Sequence, residues 1–168
     1  MPRNLEYKAR VRELDSLEKV FRENGADFIE VLKQTDTYFR VSGGRLKFRE
    51  TTGKASELIF YERDETSAAE MESLYEVLPL HDRAIKGVLV KALGVKVVVE
   101  KGRRLLMLRN ARIHLDDVEN LGKFLEFEVV TEGNDREDLA LLDNLKRIAS
   151  PFIEMEIRSS YSDLMLSE

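Results

Sequence analysis

Residues 4–11 read Asn4-Leu5-Glu6-Tyr7-Lys8-Ala9-Arg10-Val11. Successive side chains of a strand point to opposite faces. This stretch therefore sets Glu6, Lys8 and Arg10 on one face and Leu5, Tyr7, Ala9 and Val11 on the other. The same two-faced alternation returns three times. Arg45, Lys47 and Arg49 oppose Leu46 and Phe48. Arg112, His114 and Asp116 oppose Ala111, Ile113 and Leu115. Glu126 and Glu128 oppose Leu125, Phe127 and Val129.

Working outward, residues 35–41 are rich in Thr, Tyr, Phe and Val and lead through Gly43-Gly44, a tight hairpin signal, into 45–51. Thr52-Gly53-Lys54 turns again into 57–63. Residues 70–77 alternate weakly, 95–101 are β-branched, 105–109 and 111–117 form a hairpin about Asn110, and 124–131 close the series. Eight or nine strands with short links favour antiparallel pairing. Helices are fewer. Leu14, Leu17, Val20 and Phe21 lie at helical spacing with Asn24-Gly25 as a stop. Ile85, Val88, Leu89 and Ala92 repeat the pattern up to Gly94. Leu139, Leu142, Leu145 and Ile148 form an apolar stripe behind Asn134 as cap.

Composition narrows the function classes. The 168 residues suit one compact domain spanning 1–168, and 43% hydrophobic with 35% charged residues excludes wholesale disorder. A formal net charge of −5 argues against a general nucleic-acid coat. The absence of Cys excludes a disulfide scaffold, a zinc-thiolate site and a cysteine nucleophile, and fits a reducing cytoplasm. Charges in the opening MPRNLEYK stand where a signal peptide needs an apolar run, and no apolar stretch approaches the ~20 residues of a membrane span. A cytoplasmic protein without a membrane partner is expected.

The charged faces admit two architectures. They are the solvated side of an open antiparallel sheet, or the lumen of a closed barrel whose apolar outside is covered by three helices. Charge is sorted by strand, with Arg45, Lys47 and Arg49 as a basic row and Glu126 and Glu128 as an acidic one, which favours the lumen. Polyanionic phosphate chains need several charge-assisted donors. Carboxylates beside such a chain repel it unless a cation sits between, and Mg2+ binds through one or two carboxylates plus phosphate oxygens. The constellation points to a metal-dependent site for a di- or triphosphate.

At these residues the chain resembles the CYTH superfamily, the triphosphate tunnel metalloenzymes that include class IV adenylyl cyclases and thiamine triphosphatases. The opening strand resembles the ExExK signature. Asp36-Thr37-Tyr38-Phe39 followed by Gly44-Arg45-Leu46-Lys47-Phe48-Arg49-Glu50 resembles the second and third strands, and Tyr61-Glu62-Arg63 the next basic position. Val99-Glu100-Lys101-Gly102-Arg103-Arg104 resembles the VxKxR segment. Arg112-Ile113-His114-Leu115-Asp116 with Glu126-Phe127-Glu128 resembles the late acidic signature, and Ser160-Tyr161-Ser162-Asp163-Leu164 the cyclase-like ending. The fold this implies is α+β: a closed antiparallel β-barrel of about eight strands with a charged tunnel and helices outside.

The resemblance also implies roles. Glu6, Glu126 and Glu128 hold a divalent cation, Mg2+ or Mn2+, with Asp116 as a further ligand or as an orienter of water. Lys8, Arg45, Lys47, Arg49, Arg63, Lys101, Arg103 and Arg112 grip the phosphates, with Lys8, Lys47, Arg49 and Asp116 in the catalytic set. His114 reads more readily as a structural hydrogen-bonder than as a base. Tyr38 and Phe39 read as packing residues. Tyr161 either closes one tunnel end or packs. The implied activity is cyclisation of ATP to cyclic AMP and pyrophosphate, or hydrolysis of inorganic, thiamine or nucleoside triphosphate. The alternative is a non-catalytic nucleotide or polyphosphate sensor. A homodimer is compatible with the family. One position departs: Asn4 stands where the motif has its first Glu, and it carries no charge.

Overall fold

The alternation of residues 4–11 becomes a strand buried on both faces, because helices cover its apolar side and a charged interior covers the other. The computed structural model describes residues 3–63 and 71–167, with the side chain of Met71 outside that description. The elements run β1 (Arg3–Val11), α1 (Asp15–Glu23), β2 (Asp27–Phe39), β3 (Arg45–Thr51), β4 (Ser56–Arg63), β5 (Met71–Leu80), α2 (Ala84–Leu93), β6 (Val95–Leu108), β7 (Ala111–Val118), β8 (Gly122–Thr131), α3 (Asp135–Ala149), β9 (Ile153–Ile157) and α4 (Tyr161–Ser167).

Every pairing is antiparallel. The strand order β5-β4-β3-β2-β6-β7-β8-β1 is closed by a further pairing of β5 with β1, giving an eight-stranded barrel. One edge of β1 is divided between two partners. Arg3 to Glu6 face β5, whereas Lys8 to Val11 face β9, with a register shift at Arg10/Val11. The barrel outcome excludes the open-sheet reading.

The main core lies outside the barrel wall. Leu5, Tyr7, Ala9 and Val11 join Ile113, Leu115, Leu125 and Phe127 beneath Leu17 and Phe21 of α1 and Leu141, Leu142 and Leu145 of α3. Phe127 stacks on Tyr7 at 5.9 Å and meets Phe21 edge-on at 5.6 Å. Helix α1 ends as its sequence requires. Gly25 adopts φ +95°, its N–H bonds to Arg22 O at 3.1 Å, and the N–H of Ala26 reaches Phe21 O at 3.0 Å, a Schellman closure. A second cluster at one tunnel end gathers Tyr38, Tyr61, Val118, Leu121, Phe124 and Tyr161.

Several expectations need correction. Residues 95–101 and 105–109 are not separate strands. β6 runs unbroken through Gly102, which pairs with Lys33 and Asp117 and meets no neighbour that would end the ladder. β2 starts eight residues before position 35, because its outer half, exposed and half-polar, hides its strand character. A fourth helix, α4, and the short β9 complete the chain. Asn134 makes no side-chain cap bond to α3, although its backbone carbonyl accepts from Asp138 N at 3.1 Å. Helix α2 buries none of its residues, and Val88 is 63% exposed, so it does not cover the barrel as α1 and α3 do. Glu70, the first residue of the weakly alternating stretch, lies outside the described residues.

Candidate functional site

The inward parity of each strand sets the tunnel wall. β1 contributes Asn4, Glu6 and Lys8; β2 contributes Gln34 and Tyr38; β3 contributes Lys47 and Arg49. Arg63, Lys101 and Arg103 come from β4 and β6, and Arg112, His114, Glu126 and Glu128 from β7 and β8. They surround a cavity of about 310 Å³. With Asp36 and Asp116 bonded just behind this wall, seven cationic side chains (Lys8, Lys47, Arg49, Arg63, Lys101, Arg103 and Arg112) face five carboxylates (Glu6, Asp36, Asp116, Glu126 and Glu128). With Glu30, Glu57 and Lys54, which also line the cavity, the tally is eight cationic side chains to seven carboxylates, net positive by one charge on a chain that is net negative.

The basic row has a centre that sequence reading missed. Asp36, on β2, is fully buried. Arg49 donates to both of its oxygens at 2.8 Å, Nε to Oδ1 and Nη2 to Oδ2. Lys101 Nζ lies 2.9 Å and Lys47 Nζ 3.1 Å from Asp36 Oδ2. Burial alone would raise the Asp36 carboxyl, but Arg49, Lys101 and Lys47 hold it well below the usual carboxylate range. Burial conversely pulls Lys101 down to about 7, with Asp36 opposing. The signal was present: counting back across the Gly43-Gly44 hairpin pairs Asp36 with Arg49 and Tyr38 with Lys47.

The acidic wall is equally engaged. Glu126 takes Lys8 Nζ at 3.2 Å on Oε2, and Arg103 Nη2 at 3.4 Å and His114 Nδ1 at 3.2 Å on Oε1. Burial would raise Glu126, and Lys8, His114 and Arg103 keep it well below its ordinary value. Burial lowers Lys8, against the pull of Glu126. Glu6 accepts from Ser73 Oγ at 2.6 Å and pairs with Arg63 Nη2 at 2.8 Å, and burial raises its carboxyl despite Arg63. Arg112 contacts Glu128 Oε2 at 2.9 Å through both Nε and Nη2.

Two expected site residues sit apart. Asp116 is fully buried and does not line the cavity. Arg103 Nε and Nη2 occupy its two oxygens at 2.7 and 2.8 Å, and Tyr161 OH donates to Oδ2 at 2.6 Å. Arg45 turns to α4, where Nη2 lies 2.6 Å from Asp163 Oδ2. Tyr161 closes the tunnel end: its ring stands 4.0 Å from Lys8 Nζ and 5.0 Å from the Phe124 ring.

The acidic wall also fits a divalent cation. His114, Glu126 and Glu128 each offer a ligand atom within 4.8 Å of the others. Among the described residues, Asn4 Oδ1, buried in the same cavity, has no hydrogen-bond partner, and neither have Arg63 Nε and Nη1 or Gln34 Oε1. Buried polar atoms of native proteins are nearly always satisfied, so these atoms leave hydrogen-bonding capacity directed into the cavity. Carboxylate and amide oxygens suit a hard cation. Among the described residues, no helix is long and apolar enough to cross a membrane.

Comparison with known proteins agrees with this architecture. The PH1012 protein of Pyrococcus horikoshii superposes with a TM-score of 0.79 at 26% identity, over 96% of this chain and 98% of that one. A Vibrio parahaemolyticus protein described as a candidate adenylate cyclase gives 0.72 at 18% identity, over 97% of both chains. HpAC1 of Hippeastrum, described as having a dominant triphosphatase activity, gives 0.65 at 13% identity, over 99% of this chain and 96% of that one. The curated proteins contain no significant match. The CYTH domain model matches residues 2–161. An eight-stranded tunnel barrel and a family match over nearly its whole length place this chain in the CYTH domain family.

Proposed function

We propose that this protein is a divalent-cation-dependent enzyme acting on a triphosphate group, and that hydrolysis is its reaction. One observation carries the reading. Lys47, Arg49 and Lys101 converge within 3.1 Å of Asp36, beside a cavity whose opposite wall is the His114, Glu126 and Glu128 cluster. Phosphoryl transfer asks a protein mainly for positioning and charge stabilisation, and both are supplied here by fixed side chains.

In this reading Lys47, Arg49, Lys101 and Lys8 bind the phosphate oxygens, and Arg63 and Arg112 add donors along the chain. Asp36 holds the first three in place, each retaining N–H groups for the substrate. Glu126, Glu128 and Glu6 hold the cation, Mg2+ or Mn2+, with Asn4 as a neutral donor. A divalent cation held by these residues would neutralise phosphate charge and would make water bound to it more acidic. Asp116 acts by orienting Arg103 and Tyr161. In this reading residues 1–168 form one CYTH-like unit of a cytoplasmic protein, without nucleic-acid or membrane partners, and a homodimer is compatible with the family resemblance.

Cyclisation of ATP is the second reading. Leu32, Ile59, Val77 and Leu105 give the cavity an apolar strip, which would seat a base while the ribose hydroxyl attacks. A non-catalytic sensor is the third, kept by the missing carboxylate at Asn4. The test is incubation with inorganic triphosphate in Mg2+ or Mn2+ and in chelator. Metal-dependent release of orthophosphate is the expected result. Tight, metal-independent binding without release would overturn catalysis in favour of the sensor.

A further inference from the structure

We propose that Glu57 marks the outer end of the phosphate track, so that the tunnel selects an anionic chain of three phosphoryl groups against longer polyphosphates. The inference rests on the triphosphate reading above and adds to it the residue that sets the chain length.

The inner end of the track lies at the closed end of the tunnel. Tyr161 stands there beside Phe124 and Lys8. Arg45, the first residue of β3, is turned away to Asp163. The basic residues of β3 that face the cavity are therefore Lys47 and Arg49. They are two residues apart, hence about 7 Å along the strand, and a chain of three phosphorus atoms spans about that length.

Beyond Arg49 the wall changes character. The next position of the same parity on β3 is Thr51, which is buried and accepts from Gln34 Nε2 at 3.4 Å. Leu32, Val77 and Leu105 line the cavity on β2, β5 and β6, and none of the three offers a side-chain donor. Glu57, half-buried on β4, lines the cavity too and stands directly across from Arg49. Arg49 turns the other way and gives Nε and Nη2 to Asp36. The Glu57 carboxylate has no ion-pair or hydrogen-bond partner among the described residues. The nearby cations are already matched, Lys54 of the β3–β4 turn by Glu30, and Arg112 across the cavity by Glu128. A fourth phosphoryl group on this track would leave the basic row for an apolar stretch and meet an uncompensated carboxylate.

The experiment is calorimetric titration of the full chain, in chelator, with inorganic triphosphate and with inorganic tetraphosphate. Triphosphate is expected to bind about tenfold more tightly, although tetraphosphate carries more charge, and Glu57→Gln to narrow that ratio to about threefold or less. Glu62→Gln removes the same charge from an exposed position of the opposite parity on β4 and should leave the ratio unmoved. Tetraphosphate bound by the wild type as tightly as triphosphate overturns the length limit and leaves the triphosphate reading standing. A ratio unaltered by Glu57→Gln, or moved equally by Glu62→Gln, overturns the assignment to Glu57. A protein that binds neither chain overturns both.

Discussion

Replacing Asp36 by Asn keeps the shape of the side chain and removes the charge on which three cations converge. The wild-type carboxylate is fully buried and accepts Arg49 twice at 2.8 Å, Lys101 at 2.9 Å and Lys47 at 3.1 Å. Breaking a buried ion pair from one side costs about 3–5 kcal/mol. Lys101 is already depressed to about 7 by burial and relieves part of the strain by losing its proton, so the lower end, about 3 kcal/mol, is expected. For a chain of this length that is a fall in Tm of about 6–12 °C. The same substitution removes a negative charge from beside the phosphate path. At a separation of about 8 Å and an effective dielectric near 20, one unit charge is worth about 2 kcal/mol per ligand charge. Lys101 gives up a positive charge at the same time, so the two changes offset and the lost anchoring of Lys47, Arg49 and Lys101 decides: inorganic triphosphate should bind Asp36→Asn about tenfold more weakly, and should raise its Tm by less than it raises that of the wild type. Thermal unfolding across a triphosphate titration at pH 7, in chelator, measures both effects. A variant as stable as the wild type, or one that binds triphosphate at least as tightly, would refute the view of Asp36 as the anchor of the basic row.

Glu128 is 19% exposed and, among the described residues, ion-pairs with Arg112 alone, so Glu128→Gln should cost under about 1 kcal/mol of stability while lowering turnover about a hundredfold or more. Glu126→Gln should lose both, because the buried Lys8 at 3.2 Å is left without its counter-ion; steady-state kinetics beside denaturant titrations separate the two cases. Lys101, lowered by burial to about 7, lies below its unfolded value of about 10.4. The unfolded chain therefore binds more protons between those values, and stability from this group rises with pH there. A bound polyanion favours the charged ammonium, so triphosphate affinity should fall as pH rises from 7 to 9, with proton uptake on binding. Calorimetry in buffers of different ionisation enthalpy detects that uptake, and Lys101→Met should abolish it. Gly44 adopts φ +64°, and an added Cβ would stand 2.6 Å from the Phe60 ring; Gly44→Ala should cost more than about 1 kcal/mol, and unchanged denaturant stability would contradict the hairpin geometry.

Much of the barrel was legible because its strands alternate charged and apolar side chains, with exceptions such as Phe124 and Asp117 near strand ends. In residues 4–11, 45–51, 111–117 and 124–131, parity separated the charged face from the apolar one, and the sorting of charge by strand together with the family resemblance pointed to the closed tunnel. What escaped notice had a physical reason in each case. The outer half of β2 does alternate exposed with half-buried residues, but polar and apolar side chains are mixed on both parities (Asp27, Ile29, Val31 and Lys33 on one, Phe28, Glu30 and Leu32 on the other), so the sequence shows no period-2 hydropathy there. Gly102 looked like a break, yet a glycine leaves an antiparallel ladder intact when nothing crowds it. Helix α2 has an apolar stripe that the barrel does not use. The inward positions of the site followed parity, but the partnerships among them did not. Asp36 lay in a Thr- and aromatic-rich strand and gave no acidic pattern of its own. Arg45 has the parity of Lys47 and Arg49, yet Asp163 on α4 draws it to the tunnel end, a contact across 118 residues. Asp116 shares a face with His114, and its oxygens are taken by Arg103 and Tyr161, which lie on β6 and α4.

The central claim is that the tunnel holds a triphosphate between the Asp36-anchored cations and a cation-binding acidic wall. A crystal structure of the full chain with inorganic triphosphate and Mn2+, phased at the manganese edge, tests it most directly. The account predicts phosphate oxygens within hydrogen-bond distance of Lys47, Arg49 and Lys101, and an anomalous peak beside His114, Glu126 and Glu128. A triphosphate bound outside the barrel, or a tunnel containing phosphate with manganese nowhere on the acidic wall, would contradict it.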